Sequence, residues 1–143
     1  MALSANNLAV FKPSGESRVF VVASGSTIYA GALVMIGLDG YAAPASNDLD
    51  FTASDGYWAG VALDKVVGDG TLTVEVDTGG GEILTTHNTG SLTIANVGDT
   101  VGVLSDNTVD ALNSSTDIVC GKIAEVHSAT SITVKLFPFG VTS

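Results

Sequence analysis

Short runs of β-branched residues, bounded by glycines or turn pairs, are the feature that most limits how this chain can fold. In residues 71–77, the apolar side chains of Leu72, Val74 and Val76 alternate with polar ones, and residues 131–136 alternate in the same way. A period of two residues is typical of a strand with one buried face. No segment shows a convincing helical period. We therefore expect an all-β fold.

Ten segments fit this description, and glycine-containing pairs at 39–40 and 69–70 predict tight turns between strands. Short strands at such spacing are typical of a small antiparallel β-barrel or β-sandwich. The predicted strands are 18–23, 33–38, 40–43, 58–66, 71–77, 82–87, 91–95, 100–104, 118–126 and 131–137.

The chain also resembles itself, which favours an internal duplication with halves at about 16–77 and 82–137. Each half has too few strands to close a sheet alone, so we expect the halves to pair their edges and close one barrel. The three glycines at 79–81 predict a flexible connector between them. The aligned blocks are 31–36 with 98–103, 60–66 with 121–126 when one residue is skipped, and 73–76 with 133–136.

Residues 1–15 lie outside both halves, and the rest, 16–143, is expected to form a single β domain. The N-terminal segment has four apolar side chains without turn chemistry, and Pro13 and Gly15 end it. It is either a frayed terminus or an extended arm that orders on contact with a partner. The apolar residues of the arm are Leu3, Leu8, Val10 and Phe11.

Charge is scarce and one-sided. Charged residues make up 14% of the chain, against about 25% in ordinary proteins, so some apolar surface is expected to contact another subunit or partner. The net charge of −10 repels phosphate and anionic lipid, so we expect no nucleic-acid or membrane partner. The apolar stretch at 28–38 is interrupted by Gly31 and Gly37 and is too short to span a bilayer.

The residues that could carry catalysis are few. Cys120 is the only cysteine and lies in an apolar run, so we expect a buried thiol. His87 and His127 are far apart and show no metal-ligand spacing. The acidic residues between 48 and 55 lack the pattern of a calcium loop, and residues 79–82 lack that of a phosphate loop. We expect no enzyme activity, catalytic residue, metal or cofactor.

The aromatic residues allow two interpretations. Tyr41, Tyr57 and Trp58 could form a sugar-binding platform if all three are exposed. Such side chains more often fill a core or a subunit interface, and we favour that interpretation. Tyr57 and Trp58 are therefore the candidate interface aromatics.

Four segments resemble the capsid decoration, or cement, proteins of tailed bacteriophages. The segment YAGALVMIGLDGYAAPA at 29–45 is similar to the opening strand pair of that family, and WAGVAL at 58–63 to its second block. Residues 97–109 and 121–126 are similar to later blocks. Residues 78–96 have no confident counterpart in the family, so their role stays open.

The resemblance implies a small β-barrel that forms homotrimers on the outer surface of an icosahedral phage head after synthesis in the host bacterial cytoplasm. Its partner there is the major capsid protein, which the trimer clamps without chemistry. We expect the arm at residues 2–15 to bind the capsid and the β domain to trimerise. A variant that begins at Glu16 should then remain trimeric.

Two other interpretations stay open. The first is a glycan- or receptor-binding β module on a virion or cell surface, which predicts exposed aromatics around Tyr57 and Trp58. The second is a small trimeric nucleotide hydrolase, which needs a cationic side chain facing phosphate beside an aspartate at a subunit boundary. Arg18 is the only arginine, which disfavours that enzyme.

Overall fold

A computed structural model describes residues 11–45, 56–87, 93–111, 118–128 and 130–140. These residues form mainly antiparallel sheets with one short 3₁₀ turn, and the predicted all-β fold is confirmed. The strands are β1 (Phe11–Lys12), β2 (Ser17–Val21), β3 (Thr27–Ile28), β4 (Leu33–Gly37), β5 (Ala42–Pro44), β6 (Gly56–Ala62), β7 (Val66–Val67), β8 (Thr73–Asp77), β9 (Glu82–His87), β10 (Thr100–Ser105), β11 (Thr108–Ala111), β12 (Val119–Val126) and β13 (Ser131–Leu136).

Each half of the chain forms its own curled sheet. The first sheet has the strand order β2-β8-β6-β4-β5, and a parallel bridge from Val22 to Ala42 joins its two ends. In the second sheet β9 pairs with β13, then β12, β10 and β11 follow, and β11 returns to β9 in parallel. β1 adds to β9, and β3 pairs with β7 in a separate ribbon.

The two halves use the same pairing scheme. Val34 faces Gly60 in the first sheet as Val101 faces Gly121 in the second, and a bulge follows both pairs. The expected single barrel is wrong, because the strands of each half satisfy one another and the two sheets pack as a sandwich. The closing contacts are short, one bridge in the first sheet and two residue pairs in the second.

The structural repeat departs from the sequence alignment at its last strand. Gly60 lies against the carbonyl of Asp77, and its counterpart Gly121 lies against the carbonyl of Lys135. Asp77 therefore corresponds to Lys135, an offset of 58 residues, whereas the alignment of 73–76 with 133–136 implies 60. The alternation of faces survives this difference, because a shift of two residues keeps every side chain on its own side.

Two apolar clusters stabilise the domain. One lies inside the first half and is lined by small and β-branched residues such as Val34 and Val74. The other lies inside the second half and also receives the opposite face of the first sheet. The residues of the first sheet that enter this second cluster are Leu33, Met35, Trp58 and Val61. The first sheet is thus buried on both faces at its centre, which holds the two halves together.

The glycine connector between the halves is a crossing point of the chain and was wrongly predicted to be flexible. A Cβ on Gly79 would meet Ser14 Oγ, and a Cβ on Gly81 would meet the carbonyl of Lys12, both closer than 3.0 Å. The N–H of Leu136 donates to the carbonyl of Gly81 at 2.9 Å. The first and last described segments of the chain therefore both pass directly over this connector.

The predicted strand at 91–95 is also wrong for its described residues, 93–95. Residues 91 and 92 lie outside the described residues, and Ile94–Asn96 forms a 3₁₀ turn. Thr93 N–H donates to the Asn96 side chain at 2.8 Å, and Ala95 N–H donates to Thr93 Oγ1 at 3.3 Å. These reciprocal bonds form a capping box, which competes with strand formation.

Candidate interaction surface

The predicted N-terminal arm is partly built into the domain. Leu3, Leu8 and Val10 lie outside the described residues, whereas Phe11 is only 8% exposed and belongs to the core cluster of the second half. In β1, Phe11 pairs with Ile83. Phe11 therefore has a structural role in this conformation, and its side chain is not free to dock on another protein.

A buried carboxylate fixes the chain just after β1. Asp77 Oδ2 accepts the N–H of Ser14 at 2.9 Å and that of Gly15 at 3.3 Å, while Oδ1 accepts the Ser14 hydroxyl at 2.8 Å. Asp77 is almost fully buried. Bonds to a charged acceptor are among the stronger ones in proteins, so residues 13–15 belong to the domain rather than to a mobile arm.

The two candidate aromatics lie in different environments. Trp58 is 4% exposed, and its indole Nε1–H donates to the carbonyl of Phe137 at 2.7 Å, which ties the first half to the C-terminal segment. Tyr57 is 58% exposed. Trp58 is thus a core residue, and of the two only Tyr57 is available to a partner.

Tyr57 belongs to a group of exposed apolar side chains at one end of the first sheet. It pairs with Ile36 of β4, and Leu38, in the turn that follows β4, is 63% exposed. Tyr41, which ends the same turn, is also exposed. Strand alternation places Tyr41 on the face opposite Tyr57, so we call Leu38 and Tyr57 the tip surface. Large apolar groups left in water near one another often mark a contact with another protein.

Three of the five basic side chains lie in one row on the second sheet. Lys12 pairs with Glu82, Glu82 with Lys135, and Lys135 with Lys122, in a row that crosses four strands. Directly paired residues project from the same face of a sheet, and the three lysines are exposed. We call these four residues the lysine row. Lys135 Nζ also donates to the carbonyl of Gly80 at 2.9 Å.

A shallow groove of about 150 Å³ lies beside the lysine row, with Leu84 and Thr133 among the residues that line it. At its other end His127 Nε2 lies 2.8 Å from Thr133 Oγ1 and 3.9 Å from Glu125 Oε2. Both ionisable side chains are largely exposed. An exposed ion pair of this kind contributes little to stability. The histidine and the glutamate lie on a face of the sheet that is in contact with solvent.

The corresponding face of the first sheet carries the opposite charge. Glu75 is exposed, its carboxylate accepts the Ser17 hydroxyl at 2.8 Å, and its N–H donates to Asp64 Oδ1 at 3.3 Å. Val19, which pairs with Glu75, is 61% exposed. We call Ser17, Val19, Asp64 and Glu75 the acidic face.

Cys120 is buried, as predicted. Its Sγ lies 3.7 Å from the carbonyl of Val101, and burial raises the pKa of the thiol to about 12. The neutral thiol is a poor nucleophile, because the thiolate is the reactive form. Cys120 therefore acts as a small apolar residue of the second core.

Neither charged surface was predicted from the sequence. Lys12 and Lys135 are 123 residues apart and come to flank Glu82 only through strand register. The one available signal was the alternation within residues 131–136, which places Lys135 on the side opposite Ile132 and Val134.

Within the described residues, no group of three or more metal-ligating side chains could hold an ion, and no helix has the length and apolar character needed to cross a membrane. In comparisons with known proteins, no family model matches this chain. A search of the curated proteins also gave no match.

Proposed function

We propose that this protein decorates and stabilises the outer surface of an icosahedral phage head as a homotrimer, without catalysis. The tip surface carries the proposal, because Leu38 and Tyr57 are exposed while the described apolar residues around them form two buried clusters. A charge-poor protein with such a surface is suited to contact other subunits.

The segments that resemble decoration proteins surround the tip surface. Residues 29–45 contain β4 and β5 with the turn between them, and residues 58–63 contain most of β6. Leu38 thus lies inside the first resembling segment, and Tyr57 directly precedes the second. The resemblance and the exposed apolar group therefore point to the same end of the molecule.

Clamping a shell requires simultaneous contacts rather than chemistry. A trimer engages three sites at once, so modest contacts per subunit combine into high avidity. Binding to the assembled shell in preference to free subunits makes disassembly less favourable by mass action. In this proposal the tip surface and residues 2–10 contact the major capsid protein.

The test uses heads assembled from the major capsid protein encoded in the same phage genome. The wild-type protein should co-sediment with these heads, and the variant Leu38→Ser/Tyr57→Ser should bind at least tenfold more weakly while keeping its oligomeric state. Leu72→Ser is the matched control, because Leu72 is also an exposed apolar residue of the first half. Absence of wild-type binding to intact heads would refute the proposed function.

The arm is tested by deleting residues 2–10, a shorter deletion than one that starts the chain at Glu16. Starting the chain at Glu16 would also remove Phe11 from the core and the Ser14 contacts with Asp77. Deleting residues 2–10 leaves those contacts in place. This deletion should retain the trimer and lose affinity for heads. Unchanged affinity would exclude the arm from the capsid contact.

The glycan-binding alternative keeps less support. It predicts exposed aromatics at both candidate positions, and Trp58 is buried against Phe137. A sugar platform would then rest on Tyr57 with Tyr41. Tyr57 and Ala42 both pair with Ile36, one from each side, so Tyr57 and Ala42 project from the same face of the first sheet. Tyr41 precedes Ala42 and therefore projects from the opposite face.

A further inference from the structure

The lysine row and the acidic face lie on the same side of the matching sheets of the two halves, although Lys122 and Lys135 themselves fall at the positions of the buried residues Val61 and Asp77. The bridge between Val22 and Ala42 in the first half corresponds to the pair His87 and Val109 in the second. An offset of 65 residues therefore relates β2 to β9. It places Val19 at the position of Leu84, and both side chains are exposed, by 61% and 42%.

The exposed side chains on these two faces carry charges of mainly opposite sign. The face around Leu84 holds Lys12, Lys122 and Lys135, with Glu82 within the row and Glu125 at its border. The face around Val19 holds the carboxylates of Asp64 and Glu75, whereas alternation puts Arg18 on the other side of β2 with Phe20. Lys65 follows Asp64 in the chain, and its Nζ lies over the Tyr29 ring, 5.1 Å from the ring centroid.

We infer that the lysine row of one copy binds the acidic face of a second copy, with Leu84 packed near Val19 at the centre of the contact. The inference rests on the homotrimer part of the proposed function and names its subunit contact. An exposed apolar residue surrounded by complementary charges is the usual composition of a specific interface, with an apolar centre and a polar rim.

The contact explains how identical chains could form a closed ring. Two different surfaces meet, so the interface is heterologous, and each copy still offers one lysine row and one acidic face. A third copy can bind the free lysine row of one subunit and the free acidic face of the other, which closes the ring. The net charge of −10 would otherwise keep copies apart, and a local pairing of opposite charges offsets that repulsion.

Charge reversal tests this assignment by sedimentation and light scattering. The row variant Lys12→Glu/Lys122→Glu should weaken association by about tenfold or more, because two attractive contacts per interface become repulsive. Lys135 is left unchanged, since its Nζ bonds the Gly80 carbonyl. Asp64→Lys/Glu75→Lys, the face variant, should weaken association similarly. Circular dichroism checks that each variant is folded.

Combining all four substitutions in one chain should restore the trimer, because both surfaces then have reversed charges. Mixing the row variant with the face variant should not restore it. The two variants must alternate around a ring, and a three-membered ring cannot alternate. They should instead form species with even numbers of chains.

The matched control is Arg18→Glu/Lys65→Glu, which replaces two exposed cations outside the lysine row with the same change in net charge. It should keep the wild-type association. Loss of association in this control, or an unaltered trimer in the row variant, would overturn the inference while leaving wild-type binding to heads untouched. A wild-type protein that binds heads as a monomer would overturn it too, and failure of head binding alone would count only against the proposed function.

Discussion

Gly60 sits where the central strand of the first sheet crosses its neighbour, and alanine at this position should destabilise the protein strongly. Its φ is +156°, and an added Cβ would lie closer than 3.0 Å to the carbonyl of Asp77, which is backbone and cannot rotate away. Overpacking costs about 1–3 kcal/mol, and a backbone conformation of this kind costs a further 1–3 kcal/mol or so. We expect Gly60→Ala to lower the free energy of unfolding by about 4 kcal/mol.

Urea unfolding at a fixed protein concentration measures this loss. The fluorescence of Trp58, the only tryptophan, reports the transition because its indole is buried. Gly98→Ala is the control, since Gly98 has φ +94° and open space around its Cβ position. It should cost only the dihedral strain, about 1–2 kcal/mol. A Gly60→Ala loss no larger than that of the control would refute the close approach.

Three further outcomes follow from individual side chains. Trp58→Phe leaves the Phe137 carbonyl without its indole donor, so thermal unfolding by circular dichroism should show a loss of about 1–3 kcal/mol, and an unchanged melting temperature would contradict this. Cys120, whose pKa is about 12, should resist a thiol reagent at pH 8 in the native protein and react once per chain in urea, so rapid native labelling would be inconsistent with its burial. Asp69 should titrate by NMR below its ordinary pKa of 3.8, first because the Leu72 N–H and then the Thr71 N–H bond its carboxylate. A depressed folded-state pKa means that this stabilisation is present above 3.8 and is lost as the pH falls through the folded value, and a titration at or above 3.8 would contradict the turn geometry.

The sequence predicted most of the longer strands of the fold and missed β11 (Thr108–Ala111) and the shortest pieces. In β8, Val74 and Val76 are buried and Glu75 is exposed, as the alternation requires. β1, β3 and β7 contain two residues each, and two residues cannot display a period. Their positions depend on partners distant in the chain, which local pattern does not encode.

The candidate surfaces were less accessible to sequence reasoning. Trp58 and Tyr57 are adjacent, so the sequence offered no way to separate a core indole from an exposed phenol except strand alternation. That rule places them on opposite faces, but it does not say which face the rest of the domain covers. The lysine row required the register of four strands, which becomes fixed only when the sheet forms.

The pairing of β1 with β9 has a consequence for how the molecule assembles during synthesis. Phe11 is synthesised 72 residues before its partner Ile83. The first sheet can therefore form before β9, the strand that β1 pairs with, has been synthesised. The second half therefore needs β1, which precedes the first half in the chain. Separating the halves at the glycine connector would remove Phe11 from the second core.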